Sequence, residues 1–119
     1  MNTAETRVSY GEVVTIWASR LRSRHFTIAG HGLEIRGHTV VLDNKSVTLP
    51  PAPMAVLRAL AEQPGAVLTR EELADCLPGH ESGRHAVEMA VTRLRSLLRV
   101  AGIVQTVVKR GYRFSPDLP

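Results

Sequence analysis

The chain has a single cysteine, one tryptophan, two tyrosines and two phenylalanines among its 119 residues. Cys76 therefore has no internal disulfide partner, and no second thiol exists for a CxxC motif or a zinc knuckle. Set in an apolar helical context, it is expected to be a small buried packing residue rather than a reactive thiol. No apolar run approaches the roughly 20 residues of a transmembrane span, and the opening MNTAETRVSY lacks the basic-then-apolar order of a secretory signal. The sequence thus reads as cytoplasmic, with no membrane partner. Catalytic motifs are missing too. The histidines are scattered, and His80 and His85 stand apart from carboxylates or thiols at metal-ligand spacing. No nucleophile sits in a motif with a base and an orienting acid. No glycine loop is built to cradle phosphate. Neither an enzyme nor a metal or cofactor site is expected.

What is present is one domain's worth of ordinary globular sequence, 44% hydrophobic and 22% charged. The net charge of +4 is unevenly placed. Residues 84–119 hold seven Lys/Arg against Glu88 and Asp117, whereas residues 51–83 hold Arg58 and Arg70 against five carboxylates. Positive charge gathered at one end of a chain favours an anionic polymer as partner, although a charged run is often only a solvated face.

Geometry sharpens this. In RHAVEMAVTRLRSLLR, residues 84–99, Val87, Val91, Leu94 and Leu98 share one face of a helix. At about 100° per residue the opposite face carries His85, Met89, Thr92 and Ser96, with Arg93 beside it. Arg84, Glu88, Arg95 and Arg99 fall on the flanks. Such a helix buries one side and offers hydrogen-bonding groups and arginines on the other, which suits a DNA major groove.

Upstream, residues 1–24 read as an arm or linker. GEVVTIWASRLRSR has the pattern of a helix with Val13, Val14, Trp17 and Leu21 on one side and Arg20, Arg22 and Arg24 at its end. Two readings stay open for it: a linker helix docked on the domain, or the tail of a neighbouring domain. The domain itself is expected over residues 25–116. FTIA, LEIR, TVVLD and SVTL read as four antiparallel strands separated by turns at Gly30-His31-Gly32, Gly37-His38 and Asn44-Lys45. Pro50, Pro51 and Pro53 then open a helix, PMAVLRALAEQ, with Val56, Leu57, Leu60 and Ala61 buried. Ala66, Val67 and Leu68 form a short extended link. Thr69 and Glu72 make a capping box for a second helix ending near Leu77. The loop 78–83 leads to the basic helix, and VQTVVKRGYRF closes the chain as a hairpin. The expected class is α+β: a four-stranded antiparallel sheet, three helices and a C-terminal β-hairpin.

With LTREELADCLPG, HAVEMAVTRLRSLL and VQTVVKRGYRFS in that order, residues 26–115 resemble the OmpR/PhoB-type winged helix-turn-helix. The combination of Arg93-Leu94-Arg95 with the GYRF at 111–114 carries the resemblance best. More narrowly, LPPAPMAVLRAL and QTVVKRGYR look like actinobacterial proteins in which this domain follows a uroporphyrinogen-III synthase-like domain, some of them associated with nitrate and nitrite assimilation. The resemblance implies a bacterial transcription regulator domain that binds double-stranded DNA, with two copies on tandem half-sites, and in some members a loop facing RNA polymerase. Two departures stand out. Prolines replace the usual capping residues of the first helix, and Lys109 and Arg110 precede a single Gly111 where the family's wing turn has two glycines.

In that frame Arg93 is the first candidate for base reading, since its planar fork matches guanine O6 and N7. Against it stand a phosphate contact, or an ion pair with Glu88 or Asp117. Thr92 and Ser96 suit base edges or phosphates, Met89 a thymine methyl, and His85 either phosphate or base. Arg84, Arg95 and Arg99 are expected on phosphates. Tyr112 and Phe114 should point inward and Arg113 outward. Lys109 and Arg110 at the hairpin tip suit the adjacent minor groove, or are simply a solvated turn. Two rival functions remain: a protein-interaction module of the same fold, and an accessory domain of a synthase-like protein.

Overall fold

Short, half-apolar segments broken by turn residues build the first layer. A computed structural model of the protein describes residues 23–79, 83–100 and 102–117. Strands β1 (Ser23–Ile28), β2 (His31–Arg36), β3 (Thr39–Leu42) and β4 (Lys45–Val47) form an antiparallel meander in chain order. Alternation decides which side is buried: Leu33 and Ile35 of β2 and Val40 of β3 point into the core, while Arg36 and Thr39 stay outside. Ala29 and Gly30 both have positive φ, as do Asp43 and Asn44, so two of the connections are the twisted two-residue turns that match strand twist.

Two boundaries differ from expectation. Arg24, anticipated at the end of a helix, lies in β1 opposite Ile35, and Ser23 pairs with Arg36. Hairpin register extends the ladder three residues farther than side-chain pattern indicated. His31 and Gly32, anticipated in a turn, are paired residues of β2, because Ala29 and Gly30 make the turn alone. The amphipathic stretch before Ser23 lies outside the described residues.

Helix α1 (Pro51–Glu62) starts from Pro50 with no side-chain cap. Proline at the first helical positions is tolerated because those amides have no intrahelical acceptor. Its buried stripe includes the expected Val56, Leu57, Leu60 and Ala61, and adds Pro53 and Met54. Thr69 and Glu72 form both bonds of the capping box, at 3.0 and 2.8 Å, and start α2 (Arg70–Cys76). This helix is barely two turns long. Leu73 and Leu77 take its core side, which leaves Cys76 exposed, its thiol donating to the Glu72 carbonyl at 3.4 Å. The expectation of a buried cysteine fails for that reason. Helix α3 (Arg84–Leu98) packs against both α1 and α2.

The closing hairpin, β5 (Gln105–Val107) and β6 (Gly111–Arg113), is joined by the link before α2. Leu68 and Tyr112 exchange two backbone hydrogen bonds of 2.8 and 2.9 Å, so the expected extended link is a third, one-residue rung of this sheet. Tyr112 and Phe114 are buried and Arg113 is exposed, as alternation requires. Phe114 meets Phe26 edge-on at 4.9 Å. Burying a side chain of that size fully contributes roughly 1.5–3 kcal/mol. Beyond it the Asp117 amide donates to Thr27 O at 2.6 Å, and its carboxylate accepts the Ala29 and Gly30 amides at 3.3 Å each.

Candidate nucleic-acid interface

Helix α3 presents its two faces as the periodicity requires. Val87, Val91, Leu94 and Leu98 are all buried, joined by Ala90. His85, Met89, Thr92, Arg93 and Ser96 are all exposed, Met89 by 54%. Met89 is one of three large hydrophobic side chains exposed among the described residues, with Leu97 and Val108. The side chain of Arg84 falls outside the described residues. The helix ends at Arg99, which takes the left-handed conformation and returns its amide to the Arg95 carbonyl at 2.9 Å.

Intramolecular bonds sort the arginines. Arg95 is committed to the hairpin: its guanidinium donates to Val104 O at 2.8 and 3.2 Å and to Thr106 Oγ1 at 3.0 Å. It fastens α3 to β5 and keeps only its remaining N–H groups for a ligand. Arg113 donates from Nε to Gln105 Oε1 at 2.8 Å, across the strand pair. Arg99 makes only a long contact to the Ser96 carbonyl, 3.4 Å. The Thr92 hydroxyl donates back to Glu88 O at 2.9 Å, which leaves its oxygen as an acceptor.

Both carboxylates weighed as partners for Arg93 are engaged elsewhere. Glu88 faces Arg70 at 3.6 Å, and Asp117 holds the β1–β2 turn. Among the described residues Arg93 has no partner, and its fork is open to solvent.

Arg70 is a residue that sequence reasoning passed over. Its guanidinium lies 5.0 Å from the Tyr112 ring centroid, with its side chain only 19% exposed. It thereby joins α2, α3 and β6 at one point, a cation–π contact with an ion pair behind it. The signal was invisible locally, because the Tyr112 ring comes from a strand more than forty positions downstream.

At the hairpin tip Val108, Lys109 and Arg110 are exposed, Val108 by 77%. The Arg110 amide closes the turn onto Val107 O at 2.9 Å, and Lys109 adopts φ 63, the conformation in which glycine is favoured. Lys109 thus takes the backbone role that a glycine would fill, and adds a charge there. Val108 was also missed; two consecutive valines in a two-sided strand, one forced outward, were its available signal.

Among the described residues no group of three or more His, Cys, Asp or Glu could hold a metal ion, and no helix is long and apolar enough to cross a membrane.

The family model described as "Transcriptional regulatory protein, C terminal" matches residues 44–114, more than half of the chain. The chain belongs to that family. Its winged helix is of the OmpR/PhoB type: sheet, three helices and wing occur in the expected order. The chain is similar to the RstA DNA-binding domain of Klebsiella pneumoniae, solved in complex with RstA box, with 27% identity and a TM-score of 0.67 over 81% of this chain and 99% of that one. It is also similar to the response regulator DrrB of Thermotoga maritima, an OmpR/PhoB homolog, at 29% identity and TM-score 0.61, covering 70% of this chain and 41% of that one. The AdeR DNA-binding domain, solved with an intercistronic region, shares the fold at 23% identity, with a TM-score of 0.65 over 71% of this chain and 95% of that one. No curated protein matches the chain.

Proposed function

We propose that this domain binds double-stranded DNA sequence-specifically as part of a bacterial transcription regulator, with α3 in the major groove and the wing at the adjacent minor groove or backbone. The supporting observation is Arg93: exposed, without an intramolecular partner among the described residues, and carried by a helix whose other face is fully packed. A rigid mount matters, because base discrimination needs the guanidinium fork held in register with a base edge. His85, Met89, Thr92 and Ser96 share the base-facing side. Arg84, Arg99 and Arg113, with the uncommitted part of Arg95, would lie toward phosphates, and Lys109 and Arg110 toward the minor groove. Relatives solved with DNA, such as RstA with its box, support the same reading.

Finer statements rest on the resemblance alone. It favours two copies on tandem half-sites, a polymerase-facing loop at 78–83, fusion to a uroporphyrinogen-III synthase-like domain, and a regulated process in nitrate or nitrite assimilation. One observation favours the rival interaction module: exposed Met89 and Val108 are apolar contacts a protein partner would use.

Fluorescence anisotropy over promoter fragments and a salt series separates these readings. DNA binding should weaken linearly in log salt, with a slope of about 0.9 for each phosphate that the protein neutralises. Arg93→Ala should cost about 1–3 kcal/mol on the preferred fragment and flatten the preference among fragments. Equal binding of all fragments by both proteins, or no binding at low salt, would turn the assignment to the interaction module.

A further inference from the structure

An open groove of about 450 Å³ lies between the β2–β3 turn, α1 and the end of α2. Its floor is apolar: Leu49 and Met54 belong to the core, and Ala55 is half-buried beside them. His38 and Arg58 border the sheet side and Cys76 the α2 side. None of the residues assigned to DNA reading lines it, and none of the described lining residues is a carboxylate.

Arg58 is set apart from the other cations of its stretch. Residues 51–83 hold only two basic side chains, and Arg70, the other one, is engaged with Tyr112 and Glu88. Among the described residues Arg58 has no carboxylate partner, and it reaches His38 Nδ1 at 3.4 Å. A guanidinium donates in such a contact, so Nδ1 accepts and the ring proton sits on Nε2. The rim of the groove thus carries N–H donors and positive charge above an apolar floor.

Size narrows what fits. The volume falls within the range of small-molecule sites, about 300–1,000 Å³. Eight residues line the groove, whereas a stable protein interface engages about 20–30 on each side. An apolar body with one anionic end matches both floor and rim. A guanidinium fork can hold a carboxylate through two parallel bonds, and methionine adapts its shape to a flexible apolar chain.

We propose that this groove binds a small amphipathic carboxylate, its head on Arg58 and His38 and its apolar body over Leu49, Met54 and Ala55 toward Cys76. The proposal is independent of DNA recognition, because the two sites share no residue.

Decanoate and 1-decanol are matched probes, alike in chain and different in charge. In the full chain, decanoate should shift the backbone amides of Met54, Ala55, Arg58 and Cys76 and leave those of Met89, Thr92 and Ser96 in place. It should bind about tenfold more tightly than 1-decanol, the margin of one charge-assisted hydrogen bond. Arg58→Gln keeps a good helix former and should erase that margin, weakening decanoate alone. If this variant loses its melting transition, the comparison of the two probes on the parent chain decides. Saturating decanoate should also slow the alkylation by iodoacetamide of Cys76, the only thiol. Equal binding of the two probes by the parent, a margin that survives in folded Arg58→Gln, or unchanged Cys76 alkylation would each overturn the proposal. So would decanoate shifts centred on Met89 and Val108. Groove amides that respond to an acidic, leucine-bearing peptide but not to decanoate would assign the groove to a protein partner and overturn it as well.

Discussion

Gly111 runs so close to Leu68 that a Cβ on it would stand 2.0 Å from the Leu68 carbonyl oxygen. Its φ of 148 is also in a region that side chains avoid. The obstructing atom is backbone, and it is held by the two Leu68–Tyr112 hydrogen bonds, so it cannot swing aside. Gly111→Ala is therefore expected to cost more than about 2 kcal/mol, by separating the wing from the link before α2. Urea unfolding measures this; a loss within experimental error would mean the close approach is readily relieved.

Arg95 is expected to act on the fold before it acts on any ligand. Arg95→Ala removes the bonds to Val104 and Thr106 and should lower stability by about 1–2 kcal/mol without DNA present. Amide exchange should quicken in β5 specifically. Unchanged stability with weaker DNA binding would return Arg95 to a purely phosphate-contacting role.

Thr69→Ala breaks half of the capping box of α2 and leaves Glu72 with only the reverse bond. A loss of about 1 kcal/mol is expected, and Thr69→Ser should recover most of it. Thermal melts of the three chains compare them directly. Failure of the serine to restore stability would point to the threonine methyl rather than its hydroxyl.

Asp43 gives the domain an acid-sensitive corner. Its carboxylate accepts from His31 Nδ1 at 2.6 Å and from the Gly32 amide at 3.0 Å, and these bonds, the His31 one first, hold its pKa below the ordinary 3.8. A carboxylate depressed on folding stabilises above its unfolded value, and that contribution fades as pH falls through the folded one. Asp43→Asn should thus be less stable than the parent at neutral pH, with the gap closing on acidification. Denaturant midpoints of both chains across pH test this; a gap that widens in acid reverses the sign and sinks the argument.

The features legible in the sequence were those the chain encodes locally. The split faces of α3, the capping box at Thr69 and the inward aromatics of the wing all follow from spacings within one element. Residues whose surroundings come from a distant element were misjudged or overlooked. Arg95 looked like one flank arginine among several until Val104 and Thr106 folded back beneath it. Arg70 counted only as charge until Leu68 paired with Tyr112 and brought the ring over. Cys76 seemed apolar company for Leu73 and Leu77, yet a two-turn helix has one core side and those two leucines occupy it. Arg24 moved into β1 because cross-strand register, not its own neighbours, sets where that strand begins.

The Asp117 bonds to Thr27, Ala29 and Gly30 have a consequence for how the protein is made. The first hairpin of the domain gains its last hydrogen-bonding partner from a residue 88 positions downstream of Ala29. Until Asp117 emerges, the Ala29 and Gly30 amides and the edge of Phe26 face water, and the early sheet is a holding structure that completes only when that residue arrives.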